Sequence, residues 1–205
     1  MLTIIDYGVG NLLSIRNMLK RIGVDAAISS DKNDIAKADK LILPGVGHFN
    51  YGMQQLQKSG LIDVLHERVC LQKVPILGIC LGVQLFTQSS EEGNTPGLGW
   101  IEGNTIAFNR NSLGKNLKIP HMGWSEIHGY EKSALFTGMP HEPRFYFVHS
   151  YHLQLKSESD ALAYTDYGYK FAAGIEHDNI LGVQFHPEKS HKFGMKLLEN
   201  FVKYY

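Results

Sequence analysis

The most constraining feature of the sequence is an apolar run that ends in Gly78-Ile79-Cys80-Leu81-Gly82. This pattern predicts a buried strand that turns sharply into a helix and carries a cysteine at the corner. The two glycines leave room for the tight turn and for close packing of strand against helix. We expect the Cys80 sulfur to be exposed near the positive end of the helix, which favours the nucleophilic thiolate. A buried structural cysteine fits the same segment, and the segment alone does not choose between the two.

The composition predicts one globular domain spanning residues 1–205. A chain of 205 residues with 43% hydrophobic composition can bury a full core. The 20 basic and 20 acidic residues cancel, so nothing predicts a nucleic acid or a membrane surface as partner. Two cysteines do not make a disulfide framework, and the first residues lack the regions of a signal peptide. We therefore expect a cytoplasmic protein.

The hydrophobic pattern changes half-way along the chain. Strands and helices alternate in the first half, with strands predicted at 2–5, 24–28, 41–43 and 75–80 and helices at 12–22, 32–38, 51–58 and 61–71. The second half is rich in β segments, predicted at 104–108, 144–148, 161–165, 170–176 and 180–184, before a final helix at 191–202. Asp178-Asn179 suits a hairpin turn. The pattern predicts a doubly wound, mostly parallel but mixed α/β sheet with helices on both faces.

A cysteine nucleophile needs a base, and the base needs a group that orients it. The segment Phe185-His186-Pro187-Glu188 offers both compactly at the end of a predicted strand. His186 and Glu188 project to the same side of an extended chain. His186 is then the candidate base for Cys80, and Glu188 the group that fixes its tautomer. Considered alone, this segment fits a solvated surface turn better.

The third requirement of such chemistry is a site for the oxyanion of the tetrahedral intermediate. The backbone N–H of Leu81, the residue after the cysteine, is one natural donor. The Pro44-Gly45-Val46-Gly47 segment ends another predicted strand, and its glycines allow backbone amides to approach a ligand closely. An ordinary strand-terminal turn is the alternative. Neither a dinucleotide-binding glycine pattern nor a phosphate-binding loop is present.

Three sequence blocks together resemble the class I (triad) glutamine amidotransferases. They are Pro-Gly-Val-Gly at 44–47, Gly-Ile-Cys-Leu-Gly-Val-Gln at 78–84 and Val-Gln-Phe-His-Pro-Glu-Lys-Ser at 183–190. Three further blocks, at 6–12, 121–124 and 146–151, are similar to the glutaminase subunits of imidazole glycerol phosphate synthases. The resemblance covers essentially the whole chain.

The resemblance implies a role for each matching residue and no cofactor. Cys80, His186 and Glu188 match the catalytic triad. The oxyanion site matches Gly45, Gly47 and Leu81, and the segments that bind the substrate L-glutamine match Gln84, His149, Ser150 and Tyr151. A polar residue on a half-buried helix is the alternative for Gln84, and a plain edge strand for the other three. No metal site is expected, and the remaining histidines are predicted to be scattered polar positions: His48, His66, His121, His128, His141, His152, His177 and His191.

The resemblance also implies a partner, a (βα)8-barrel cyclase that forms a heterodimer with this chain and receives its ammonia. By this resemblance, the surface that faces the partner includes Asn11, Met122 and Trp124. Exposed Met and Trp suit an interface, where large apolar side chains contribute most of the binding energy. Packing of Met122 and Trp124 in the core is the alternative. The chain departs from the family pattern at Ser125, where Asn is usual, which puts the partner contact there in question.

Three rival functions stay open at the level of sequence. The chain can be a paralogous glutaminase subunit that serves a different synthase, such as one that amidinates surface sugars. It can be a cysteine peptidase or related α/β hydrolase that uses the same strand-to-helix corner. It can also be a binding module without activity, although the intact Cys80, His186 and Glu188 argue against that.

Overall fold

A computed structural model describes residues 1–205 and contains one large mixed β-sheet beside a two-stranded one. In the large sheet the strands follow the order β2-β1-β3-β4-β13-β12-β10-β7-β5-β6, and β11 pairs with β12. The five strands from β2 to β13 run parallel, whereas β13, β12, β10 and β7 are successively antiparallel. The bounds are β1 Leu2–Ile5, β2 Ala26–Ser29, β3 Lys40–Gly45, β4 Ile76–Cys80, β5 Ser89–Ser90, β6 Thr95–Pro96, β7 Gly103–Ala107, β8 His121–Glu126, β9 Arg144–His149, β10 Tyr151–Leu155, β11 Ala161–Asp166, β12 Lys170–His177 and β13 Ile180–Val183.

Helices cover both faces of the parallel half. One face packs against α1 and α6 through residues such as Ile15, Leu19 and Leu197, and the other against α2 to α5. The bounds are α1 Leu12–Arg21, α2 Lys32–Ala36, α3 Phe49–Ser59, α4 Ile62–His66, α5 Leu81–Leu85 and α6 His191–Tyr204. None of these helices combines the length and apolar character needed to cross a bilayer. The doubly wound, mostly parallel α/β fold with a β-rich second half is confirmed.

The structure differs from the predicted elements where tertiary contacts override local pattern. The helix predicted at 61–71 is interrupted: α4 ends at His66, and Glu67–Leu71 form a π-helical turn. Four strands were missed: the two-residue strands β5 and β6, and the longer β8 and β10. Strand β8 pairs with β9 in the small sheet, and β10 joins the large sheet only one residue after β9 ends. A break this short gives no signal in the sequence.

The hairpin predicted at Asp178-Asn179 is confirmed between β12 and β13. Asp178 has a positive φ of 53°, which Asp tolerates better than most residues. The buried Asn179 side chain donates hydrogen bonds of 2.9 Å to the carbonyls of Val69 and Val74. The turn therefore holds the segment that leads into β4, the strand that carries Cys80.

Candidate active site

The predicted strand-to-helix corner is present, with Cys80 as the last residue of β4 and Leu81 as the first of α5. Cys80 has φ 54° and ψ −109°, a conformation that is strained for a residue with a side chain. A Cβ atom at Gly82 would lie 1.9 Å from the Leu43 carbonyl oxygen, so only glycine allows β3 to pack this closely. The corner is therefore enforced by backbone contact.

The expectation of an exposed Cys80 sulfur is wrong, because Cys80 is only 6% exposed. It lies in a cavity of about 540 Å³, where loops at the ends of neighbouring strands surround it. A cavity of this size suits a small-molecule ligand. Other residues singled out from the sequence also line it: Asn11, Gly47, Leu81, Gln84, His149, Ser150, Tyr151 and His186. The corner thus presents its cysteine to a pocket that these residues share.

His186 and Glu188 form a buried pair, so the surface-turn interpretation is wrong. His186 Nδ1 lies 2.8 Å from Glu188 Oε1, and each side chain is only 1% exposed. The pair does not lie on one extended strand as expected: Pro187–Lys189 form a 3-10 turn that returns Glu188 to the ring. Ser190 stabilises this turn, since its Oγ donates to the His186 carbonyl at 2.6 Å and accepts from the Tyr146 N–H at 3.0 Å.

The electrostatics of this pair favour a charged imidazole. Burial alone lowers the pKa of His186, but contacts with Cys80 and Glu188 outweigh burial and raise it to about 10. Glu188 fixes Nδ1 as the donor nitrogen, and the other nitrogen, Nε2, is buried without a hydrogen-bond partner. An imidazolium beside a cysteine stabilises the thiolate. The arrangement can therefore support a nucleophilic cysteine and a proton donor in one cavity.

The loop predicted to form the oxyanion site divides into two parts. Val46 and Gly47 line the cavity with Leu81, and Gly47 has a positive φ of 95°. Gly45 does not line the cavity; it pairs with Cys80 in the sheet and packs beneath the corner. The loop is anchored by Tyr7, whose buried hydroxyl donates to the Pro44 carbonyl at 2.7 Å. Burial, reinforced by Cys80, raises the pKa of Tyr7 and keeps it a donor.

Gln84 points into a polar cluster behind the cysteine. Its Nε2 lies 3.0 Å from both the Tyr151 carbonyl and Gln184 Oε1, and Gln184 Nε2 lies 3.9 Å from Cys80 Sγ. Gln184 is fully buried and was not among the residues predicted from the sequence. Its signal was a polar residue between Val183 and Phe185 at a buried strand end.

Two charged residues of the cavity were also missed. Glu92 lines it and accepts a hydrogen bond of 2.7 Å from the N–H of Phe49, and Lys189 lines it from the turn beside His186. Glu92 lies in a glycine- and proline-containing loop that gives no local signal. Lys189 belongs to the block at 183–190 and could have been found there.

The expectation that the remaining histidines are scattered polar positions is wrong for two of them. His121 and His152 are buried, His121 against His149 and His152 with its Nε2 2.8 Å from the Tyr169 hydroxyl. No three His, Cys, Asp or Glu side chains are grouped so as to hold a metal ion.

Met122 and Trp124 lie on the outer face of β8, 60% and 46% exposed, so their packing in the core is ruled out. The Trp124 indole stacks on the His191 ring with the centroids 5.5 Å apart and the planes at 7°. Ser125, where the sequence departs from the family pattern, turns inward and bonds to His121 at 2.8 Å. The outer face of β8 is thus an exposed apolar surface near the cavity.

Comparison with known families decides the classification. The family model described as class-I glutamine amidotransferase matches residues 3–204. The chain belongs to the class-I glutamine amidotransferase family. This amidotransferase has the fold of solved members at low identity: a crystal structure titled glutamine amidotransferase covers 98% of the chain, is itself covered over 97%, and has a TM-score of 0.73 at 20% identity.

Curated relatives match the amidotransferase over their full length. A Pseudomonas aeruginosa protein named imidazole glycerol phosphate synthase subunit HisH 2 is 50% identical, with 99% of both chains covered. A protein of the same name from Methanococcus maripaludis is 52% identical, again with 99% of both chains covered. A Sulfurimonas denitrificans protein named imidazole glycerol phosphate synthase subunit HisH is 47% identical, covering 100% of this chain and 98% of that one.

Proposed function

We propose that this amidotransferase is the glutaminase subunit of an imidazole glycerol phosphate synthase. It hydrolyses L-glutamine to glutamate in the cytoplasm and passes the ammonia to a cyclase partner in histidine biosynthesis. The observation that carries the proposal is Cys80 at a strained corner in the same cavity as the buried His186–Glu188 pair. The names of the full-length relatives support the synthase that it serves.

The first half of the reaction forms a thioester and releases ammonia. The Cys80 thiolate attacks the side-chain carbonyl carbon of glutamine, and the carbonyl oxygen becomes an oxyanion. Leu81 and the Val46–Gly47 loop line the cavity, and their backbone amides are the candidate donors that stabilise that charge. His186 gives its proton to the leaving nitrogen, and Glu188 holds the imidazole in the tautomer required.

The second half returns the free enzyme. His186, now neutral, takes a proton from water, and the resulting hydroxide attacks the glutamyl thioester. The C–S bond breaks, glutamate leaves, and Cys80 regains its thiolate beside the protonated imidazole. One water is consumed for each glutamine, so the products are glutamate and ammonia. The mechanism needs no metal or organic cofactor.

The charged ends of glutamine find complementary groups on the cavity wall. Glu92 supplies a carboxylate suited to the substrate ammonium group. His149, Ser150 and Tyr151 line the wall where β9 passes into β10, and their backbone groups are suited to the substrate carboxylate and amine. Gln84 fixes this wall through the Tyr151 carbonyl.

The partner follows from the chemistry of the product. Ammonia released into neutral water is protonated and loses its nucleophilic lone pair, so it must pass directly to its acceptor. We propose a (βα)8-barrel cyclase docked on Asn11, Met122 and Trp124, forming a heterodimer that makes imidazole glycerol phosphate and aminoimidazole carboxamide ribotide. Asn11 lines the cavity, and the other two are exposed, as a docking surface requires.

The test is a glutaminase assay on the chain with and without a barrel cyclase and its ligand. We expect low activity alone and at least tenfold stimulation by the partner. We also expect covalent labelling of Cys80 by a glutamine-analogue electrophile, abolished in Cys80→Ala, whereas Cys70→Ala, the same change at the other free cysteine, labels normally. Full activity without a partner, retained activity in Cys80→Ala, or cleavage of peptides in place of glutamine would each overturn the proposal.

A second candidate is a paralogous subunit that supplies a different synthase. Two of the relatives carry the numeral 2 in their names, which distinguishes each from another subunit of the same name. Ser125 on the candidate docking strand also departs from the usual Asn. Co-purification separates the two candidates: capture of a synthase other than a barrel cyclase would favour the paralogue, and the glutaminase chemistry would stay the same.

A further inference from the structure

The glutamine pocket contains an abrupt passage of the backbone from one sheet to the other. His149 ends β9 and pairs with His121 in the small sheet, whereas Tyr151 begins β10 and pairs with Ala107 in the large sheet. Only Ser150 lies between them, and all three residues from 149 to 151 line the cavity. The shape of this passage therefore sets the shape of one cavity wall.

The His149 side chain closes the passage. Its Nδ1 lies 2.7 Å from the Tyr151 carbonyl oxygen, and because a carbonyl only accepts, Nδ1 must carry the proton. In the neutral ring Nε2 is then an acceptor, and it lies 2.9 Å from His121 Nδ1. His121 must therefore donate from Nδ1, which leaves its Nε2 to accept from the Ser125 hydroxyl at 2.8 Å. Each ring has one permitted tautomer.

The surroundings keep both rings neutral. Burial lowers the pKa of His121 to about 4 and holds that of His149 well below its usual value. The His121 ring is stacked between Tyr167 and Phe147, with centroid distances of 4.0 and 4.8 Å. No charged group is hydrogen-bonded to either ring. At neutral pH the direction of these hydrogen bonds is therefore fixed, with Ser125 donating to His121, His121 to His149, and His149 to the Tyr151 carbonyl.

The Tyr151 carbonyl also connects this series of hydrogen bonds to the nucleophile. The Tyr151 oxygen accepts a second hydrogen bond, from Gln84 Nε2 at 3.0 Å. Gln84 also donates to Gln184, whose amide lies beside Cys80. The backbone of the passage is thus held from two sides, by Gln84 from the nucleophile and by His149 from the small sheet. Of these two hydrogen bonds to the Tyr151 carbonyl, only the one from His149 depends on a further residue, because His121 donates to the other nitrogen of the His149 ring.

We propose that His121 is a positioning residue for glutamine binding. The inference rests on the proposed glutaminase function: by donating to His149, His121 fixes the tautomer that holds the Tyr151 carbonyl, and with it the backbone from His149 to Tyr151 that receives the amino-acid end of glutamine. Packing alone does not need this arrangement, because burying two imidazoles among aromatic rings costs more than burying two apolar side chains.

Two substitutions separate hydrogen bonding from packing. His121→Phe keeps a ring between Tyr167 and Phe147 but offers no donor, whereas His121→Asn loses the ring and retains an amide N–H close to the place of Nδ1. With the partner bound, we expect KM for glutamine to rise about tenfold in His121→Phe, the effect of one lost buried hydrogen bond, with kcat within about threefold. His121→Asn should restore KM to within about threefold of wild type.

The alkylation rate of Cys80 by iodoacetamide should match wild type in both variants, because the His186–Glu188 pair is untouched. A wild-type KM in His121→Phe would overturn the proposal. So would a His121→Asn variant as impaired as His121→Phe, since the loss would then come from packing. Ser125→Ala provides a milder variant should His121→Phe fail to fold, with an expected rise in KM of about twofold to threefold.

A second measurement is independent of activity. In protein with ¹⁵N-labelled histidine, long-range proton–nitrogen spectra report which ring nitrogen carries the proton. We expect the Nδ1–H form for both His121 and His149 in wild type, and a mixture of forms for His149 in His121→Phe. An Nε2–H form of His149 in wild type would refute the positioning role even in an active glutaminase. The spectra remain informative if the wild-type chain shows no glutaminase activity. A failure of the positioning role can therefore be distinguished from a failure of the proposed glutaminase function.

Discussion

His186 and His149 line the same cavity, and both are buried, yet their pKa values move in opposite directions. Burial opposes the charge on both rings. At His186 the neighbours Cys80 and Glu188 outweigh burial and raise the pKa to about 10. At His149 the main neighbours are neutral groups, the His121 ring and a backbone carbonyl, and its pKa is held low. The charge of the partner, rather than the depth of burial, decides what a buried histidine can do.

The two histidines also belong to regions that are stabilised differently. The corner at Cys80 is shaped by backbone contact, because Gly82 touches the Leu43 carbonyl in the neighbouring strand. The passage from His149 to Tyr151 is shaped by side-chain hydrogen bonds through His121 and Gln84. We therefore expect the first region to carry the chemistry and to tolerate no added atoms. The second should adjust binding and respond to pH.

Removing the carboxylate beside His186 should lower the pKa of that ring, in the direction already seen at His149. In Glu188→Gln we expect the pKa of His186 to fall and kcat to drop roughly 10³- to 10⁴-fold, by analogy with loss of the carboxylate in other triads. KM for glutamine should change little. The measurement is kcat against pH in the complex. Glu199→Gln, the same change at an exposed position of α6, is the control. A kcat within tenfold of wild type would show that the carboxylate is dispensable.

Adding a Cβ atom at Gly82 should destabilise the strand-to-helix corner. In Gly82→Ala the new Cβ would lie 1.9 Å from a backbone oxygen that cannot move without shifting β3, so we expect the free energy of unfolding to fall by about 3 kcal/mol or more. Urea unfolding measures it. Gly52→Ala is the control: its Cβ would meet only side-chain atoms, the flexible end of Leu81 at 2.9 Å and Leu85 at 3.5 Å, and alanine favours a helix. Equal stability of the two variants would contradict the role assigned to backbone contact.

The difference between the regions explains which parts of the site could be predicted from the sequence. The strand-to-helix corner was predictable because its determinants, Gly78, Cys80 and Gly82, lie close together in the chain, although the burial of Cys80 was not. The His186–Glu188 pair was predictable as a pair, although the 3-10 turn that joins it was not. The parallel strands and their helices could be predicted from the spacing of apolar residues, a pattern that depends only on residues close together in the sequence.

The second region could not be predicted for physical reasons. Strand β10 begins one residue after β9 ends, so the change of sheet depends on pairing with Ala107, far away in the sequence. His121 gives no sign of burial because its partner, His149, is 28 residues further along the chain. Glu92 reaches the cavity only because its loop is placed there by the sheet edge. Contacts between distant residues leave no local pattern.

Acid should weaken the second region first. The pKa of His121 is about 4 in the folded protein and near 6.5 in the unfolded chain, so between these values only the unfolded chain binds the proton. Stability therefore falls as pH falls through this window, by about 1–2 kcal/mol between pH 7 and pH 5 for His121 alone. His186, with its raised pKa, is protonated in the folded state throughout the window, so its stabilising contribution is lost only as pH rises towards 10.

The check is urea unfolding of wild type and His121→Phe at pH 7 and pH 5. The variant should lose less stability on acidification, because it lacks one of the groups that the unfolded chain protonates. Equal losses in the two proteins would show that His121 titrates alike in both states.

The smallest expected effect concerns the outer face of the same strand that carries His121. Trp124 is exposed but already ordered by stacking on His191, so little side-chain freedom is lost when a partner covers it. In Trp124→Ala we expect affinity for the barrel cyclase to fall about tenfold, or about 1.4 kcal/mol, measured by titration calorimetry. Saturating partner should restore the stimulated rate. Leu71→Ala is the control, because Leu71 is also an exposed apolar residue but precedes β4, at the opposite end of the strands from the cavity. Unchanged affinity in Trp124→Ala would place the docking surface elsewhere and leave β8 with an inward role alone.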